Sequence, residues 1–178
     1  MSEQSSLYAK IKIKKENYEA FLKSKLAVTK DQTGWGDWWN GLEMYGEPNI
    51  EDNLVTYHDE NIAAFIQSWL EMEDTLPFSD YDAETETWHF GLVMFTDNYA
   101  EMIPCLGALR GVSEFKEADE SDFVIIFPYF WESSNNCNAY LKFTAEGSVF
   151  VKEVTEVDIT EARAYLDKKW GEFAARQA

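Results

Sequence analysis

The sequence predicts an α+β fold for residues 1–178, in one domain, with helices packed on a mixed or antiparallel sheet. Three observations predict it. Segments that alternate apolar and polar residues are interleaved with segments whose apolar residues recur every three to four positions, so neither period owns the chain. Of the 178 residues, 46% are hydrophobic and 16% aromatic, enough to bury a proper core and to argue against disorder. No linker-like run of Pro, Gly or Ser divides the chain.

The elements follow in order. Leu7, Ala9, Ile11 and Ile13 alternate with Lys10, Lys12 and Lys14, which predicts a half-buried strand with a basic outer face. Lysines on that face suit a sheet edge, where they discourage further pairing. Tyr18, Phe21, Leu22 and Leu26 then recur at helical spacing, so Glu16 to about Ala27 should be an amphipathic helix. Thr33 to Asn53 carries Gly34, Gly36, Gly41, Gly46 and Pro48 and reads as a loop, with room for a short helical turn from Trp38 to Tyr45. Asp59 is the expected cap of a helix with the apolar stripe Ile62, Phe65, Ile66, Trp69 and Leu70, ending near Asp74. Phe78 to Thr87 reads as an acidic loop.

Trp88 to Phe95 is the next strand, followed by a helix through Tyr99, Met102, Ile103 and Leu106. Aligning Asn17-Tyr18 with Asn98-Tyr99 places Phe21 on Met102 and Leu22 on Ile103, a hint of two related β–α units side by side. Gly111 to Asp122 is polar and loop-like. Phe123 to Phe127 is apolar on both faces, which suits a central strand ending at Pro128. A hairpin through Glu146-Gly147 joins Ala139–Phe143 to Val149–Val154. Asp158 and Glu161 pair as a capping box for the last helix, whose inner face is Ile159, Ala162, Leu166, Trp170 and Phe173.

Charge is segregated along this framework. The net charge is −18, yet residues 1–30 carry +4 and residues 31–137 carry −21. From Asp31 to Leu109 there are 17 acids and not one Lys or Arg, together with five of the seven tryptophans. Such a surface repels the phosphates of nucleic acids and anionic membranes and favours a cationic protein partner. A DNA mimic would need a uniformly negative surface, which the lysines between Lys10 and Lys14 interrupt. The longest apolar run, Phe123 to Trp131, has nine residues, too short to span a membrane. The polar start Met1 to Ser6 has no apolar leader core, and Cys105 and Cys137 form no disulfide framework, so a cytoplasmic setting is expected.

Two stretches are candidate binding residues. Gly34-Trp35-Gly36-Asp37-Trp38-Trp39 combines flexible glycines with indoles, the side chains that dominate interface hot spots. The same loop suits sugar stacking, the second reading, as a small-molecule or carbohydrate-binding domain or enzyme. Asp80, Asp82 and Glu84 alternate like the start of a calcium loop, but Thr85 stands where the sixth-position glycine belongs and Gly91 where the twelfth-position glutamate belongs. They read better as an acidic face for a basic partner. No metal site, cofactor motif, phosphate loop or nucleophile elbow is present. A Cys105–His89 nucleophile pair can be drawn without any signature to support it. The leading expectation is a non-enzymatic inhibitor or immunity-type protein that neutralises a basic toxin or nuclease by occluding its cleft. Its contact residues would be Trp35, Asp37, Trp38, Trp39, Asp80, Asp82 and Glu84, and its oligomeric state is left open.

Overall fold

A computed structural model describes residues 4–42, 49–131 and 136–178. It is an α+β structure built on one six-stranded sheet in which every neighbouring pair of strands is antiparallel. In chain order the elements are β1 (Ser5–Lys12), α1 (Lys15–Lys23), α2 (Trp35–Asn40), α3 (Ile62–Leu70), β2 (Pro77–Asp82) and β3 (Thr87–Thr96). They continue with α4 (Tyr99–Arg110), β4 (Phe123–Phe127), β5 (Ala139–Thr144), β6 (Gly147–Phe150) and α5 (Glu156–Arg176). The strand order across the sheet is β2-β3-β1-β4-β5-β6.

Strand parity sorts the side chains onto two faces. Leu7, Ala9 and Ile11 of β1, Trp88, Phe90 and Leu92 of β3, and Val124 and Ile126 of β4 pack against α1 to α4 in the larger core. Tyr8, Val93, Phe123, Ile125, Phe127 and Tyr140 face the other way and meet Ala162 and Leu166 of α5. The sheet is therefore covered on both faces, and β4 is buried along its whole length, as its continuous apolar run requires. Gly91 permits this closeness: a Cβ there would stand 2.4 Å from the Phe78 ring and 2.7 Å from the Leu7 carbonyl oxygen.

Several expectations are corrected. β1 lies between β3 and β4 rather than at an edge, and α5 covers its basic face. Tyr8 is fully buried there, and Lys10 finds Glu161 of α5 at 2.5 Å. The segment read as an acidic loop begins as β2, an edge strand zipped to β3 from Pro77↔Leu92 to Asp82↔Thr87. Thr33 to Asn53 holds α2, which starts earlier than the expected turn; Tyr45, Gly46 and Pro48 lie outside the described residues. Asn61, not Asp59, caps α3, accepting from the Ala64 N–H, while Asp59 accepts from Ser68 Oγ. Thr155 caps α5, because Asp158 is drawn inward to Lys142 and Tyr140. Lys169 takes the inner position expected of Trp170, which stays partly exposed. β1 and β3 do lie side by side, antiparallel, and the helices that follow them pack into the same core. No helix among the described residues is long and apolar enough to cross a membrane.

Candidate functional site

The structure separates the two stretches that the sequence proposes as one surface. Gly34, at φ 84°, turns the chain into α2, and Trp35, Trp38 and Trp39 are only 3%, 9% and 4% exposed. The indole N–H of Trp35 donates to the Thr29 carbonyl at 3.1 Å and that of Trp38 to the Asn138 carbonyl at 2.8 Å. Trp38 stacks on Phe150 of β6, with ring centroids 5.4 Å apart and planes at 13°. These indoles close the β6 end of the larger core, and little of their surface is left open to a sugar or a partner. Burying an indole gains more than displaying it, once its single N–H finds a carbonyl. Of the four contact residues expected here, Trp35, Asp37, Trp38 and Trp39, Asp37 alone faces solvent.

Asp80, Asp82 and Glu84 belong to the β2–β3 hairpin at the opposite edge of the sheet. Five strand spacings, about 24 Å, separate the two edges. Asp80 points toward α5, pairs with Lys169 at 2.6 Å and accepts from the Tyr165 hydroxyl at 2.9 Å. Asp82 organises the hairpin turn by accepting the N–H of Glu84 at 2.9 Å and of Thr85 at 3.4 Å, which holds its carboxyl below the usual range. Glu84 and Glu86 project into solvent beside it.

Under α5 a row of residues crosses the sheet: Asp80, His89, Lys10, Phe123 and Lys142 stand side by side on β2, β3, β1, β4 and β5. The helix answers most of these charges. Lys169 meets Asp80, Glu161 meets Lys10, and Asp158 meets Lys142 at 3.0 Å. His89 stacks on Tyr165, centroids 4.3 Å apart and planes at 10°, and its Nδ1 shares a 2.9 Å hydrogen bond with the Tyr8 hydroxyl. A cleft of about 540 Å³ opens beside it, bounded by the hairpin and by Tyr165, Lys168 and Lys169.

Burial first, and Lys10 second, hold the His89 imidazole below its ordinary pKa. The unfolded chain then takes up the proton at a higher pH than the folded one. Stability is full above about pH 6.5 and declines as pH falls through that value toward the lower folded-state pKa. His89→Gln, which keeps an acceptor for Tyr8, should flatten the decline between about pH 6.5 and 5.5 in urea-unfolding midpoints. The same slope in wild type and variant would place the titrating group elsewhere.

His89 and Cys105 do not form a nucleophile pair. His89 faces α5, whereas Cys105 lies in the core on the other side of the sheet. Burial pushes its thiol far above the ordinary range, toward an inert state. Among the described residues no group of three or more His, Cys, Asp or Glu side chains is placed to hold a metal ion.

The other flank of α5 carries a feature that sequence reasoning missed. Phe130, Trp131 and Trp170 are 41%, 45% and 43% exposed, and Phe130 meets Trp170 edge to face with centroids 5.4 Å apart. The Tyr129 hydroxyl donates to Asp167 at 2.5 Å, and Arg163 donates to the Tyr129 carbonyl at 3.2 Å. A cleft of about 420 Å³ lies between Tyr129, Phe130, Arg163, Asp167 and Trp170. Exposed aromatics ringed by polar groups mark interaction surfaces. The signal was Tyr129-Phe130-Trp131 directly after Pro128, three aromatics past the expected end of the strand that the sequence reading left without an assignment. Comparison with protein-family models, curated proteins and solved structures finds no match to this chain.

Proposed function

We propose that this chain is an acidic protein-binding module of the inhibitor or immunity type, which captures a basic protein and occludes its active cleft. The observation that carries the reading is the absence of any Lys or Arg from Asp31 to Leu109, with the acids of the β2–β3 tip exposed. Glu84 and Glu86 make no ion pair with any described residue. Glu86 also holds φ at 50°, a region where glycine would cost less, so acidity at the tip comes at the expense of local stability. An acidic field speeds encounter with a cationic partner, and exposed aromatics slow its release. Asp82 and Glu84 at the hairpin and Asp37 on α2 supply charge, while Phe130, Trp131 and Trp170 supply the aromatic anchors. Asp80 fastens α5 to the sheet, and Trp35, Trp38 and Trp39 support the scaffold. The free thiols of Cys105 and Cys137 suit the reducing cytoplasm.

The test begins with capture from a native lysate at low salt and release by a salt gradient. One basic protein should elute, and its association rate should fall steeply with ionic strength. The combined variant Asp82→Asn, Glu84→Gln, Glu86→Gln removes charge while leaving a turn acceptor at residue 82. It should slow association about tenfold at low salt and flatten the salt dependence. An unchanged association rate removes the hairpin from the reading. A partner that is not basic, or none, overturns it.

A further inference from the structure

The sheet ends in two edge strands, β2 and β6. β6 has four residues, and Arg110 of α4 engages its Ser148 at the hydroxyl and the carbonyl, at 2.7 and 3.2 Å. β2 has six residues, and the register fixes where their backbone groups point. Just before β2, the Val93 N–H donates to the Leu76 carbonyl at 3.4 Å, in the register that pairs Pro77 with Leu92. Bonded and non-bonded residues alternate along an antiparallel pair. Phe78, Asp80 and Asp82 therefore turn their N–H and C=O groups toward β3, while Ser79 and Tyr81 turn theirs outward. β3 agrees: Ile13 donates to the Glu86 carbonyl at 2.8 Å, so its even-numbered residues serve β1 and its odd-numbered ones β2. Pro77 belongs to the outward set, where a missing N–H costs no ladder bond. Among the described residues nothing pairs with the outward N–H groups of Ser79 and Tyr81, or with the carbonyls of Pro77, Ser79 and Tyr81. The side chains leave this edge clear. Ser79 accepts from the Trp88 indole at 2.9 Å, and the Tyr81 hydroxyl donates to the Ile13 carbonyl at 2.8 Å.

An open edge invites another chain, and proteins blunt such edges with lysines, bulges or a cover. β2 carries no lysine, and its register with β3 runs unbroken. What flanks it is acid. Glu71, Glu73 and Asp74 precede the strand and Asp82, Glu84 and Glu86 follow it, all of them exposed. None of them forms an ion pair with a described residue. Lys168 and Lys169 of α5 border the hairpin cleft, but Lys169 is bound to Asp80 and Glu172. A second copy of the chain would bring acids against acids whichever way two β2 strands ran. A foreign segment with bases at both ends meets opposite charge in either direction. The span to be matched is about 20 Å, the length of six extended residues.

We propose that β2 is the docking edge for the basic partner, which adds an extended segment with Lys or Arg at both ends as a seventh strand of the sheet. The proposal rests on the inhibitor reading above and names how the partner is held. Main-chain hydrogen bonds to Ser79 and Tyr81 set the register, and the flanking carboxylates select cationic segments. Strand addition draws on backbone groups that every extended segment carries, so charge is what discriminates.

The probe is the peptide acetyl-Lys-Lys-Thr-Val-Thr-Val-Lys-Lys-amide, titrated against the whole protein at about 20 mM salt. Its control carries N-methyl groups on the two adjacent central residues, which keeps the charge and spoils both edges of the peptide for pairing. Hydrogen exchange followed by NMR is the second readout. In the free protein the amides of Phe78, Asp80 and Asp82 should exchange more slowly than those of Ser79 and Tyr81. Saturating peptide should slow Ser79 and Tyr81 at least about tenfold, and methylation should weaken binding about tenfold or more. The variant Glu71→Gln, Glu73→Gln, Asp74→Asn should weaken the unmethylated peptide about fivefold, and an unchanged affinity would overturn the two-ended grip. Equal binding of both peptides, with Ser79 and Tyr81 unprotected, would overturn strand addition and leave capture by charge standing. Binding of neither peptide up to about 10 mM would overturn strand addition and the acidic reading together. Protection of Ser79 and Tyr81 that grows with protein concentration in the absence of peptide would assign the edge to a second copy, against the proposal.

Discussion

Asp122→Ala is expected to destabilise the protein by about 3–5 kcal/mol, the range found when one member of a buried ion pair is removed. Asp122 is fully buried at the entry to β4 and pairs with Lys116, whose side chain is nearly as inaccessible. It also accepts the backbone N–H of Lys12 at 2.7 Å and of Asp119 at 3.3 Å. One carboxylate thus ties the end of β1 to the turn that launches β4. Alanine leaves an uncompensated ammonium and a strand-end N–H without its partner. Combining Lys116→Met with Asp122→Asn removes both charges and keeps an acceptor for Lys12, so it should recover more than half of the loss. Urea midpoints at unchanged slope measure both effects. A loss below about 1 kcal/mol for the alanine variant would mean that water reaches the pair.

Local pattern carried most of the fold because most segments obey one period. Leu7, Ala9 and Ile11 alternate, Phe123 to Phe127 is apolar throughout, and both properties follow from the faces those strands present. What escaped notice was satisfied over long separations. Lys10 reads as solvent-facing until Glu161, 151 positions later, is seen above it. Asp80 reads as loop until Tyr165 and Lys169 arrive from α5. A charged residue looks the same in sequence whether water or a counter-ion solvates it. The caps failed for a related reason: Asp59 and Asp158 are good caps by type, but Ser68 and Lys142 engage them instead. The candidate site was legible in its charge and misread in its aromatics. Tryptophans flanked by glycines look mobile, yet Gly34 only sets the turn that buries them.

Trp38→Ala should therefore cost about 3–5 kcal/mol, the range for truncating a large buried aromatic. The loss has named parts. The indole N–H leaves the Asn138 carbonyl, and the stacking on Phe150 and the edge contact with Trp35 disappear. Phe150 and Trp35 are also the two rings that flank the buried Arg110 guanidinium, so loosening them would unsettle that charge as well. Trp170→Ala makes the opposite prediction. That indole is 43% exposed and meets Phe130 only at the surface, so its removal should cost no more than about 1 kcal/mol. If Trp170 anchors a partner, dissociation should accelerate about tenfold or more. Measuring the urea midpoint and the dissociation rate of a captured partner for both variants separates scaffold from contact. A Trp38 variant that keeps its stability and loses its partner would return the tryptophan helix to the surface, against its hydrogen bonds and its burial.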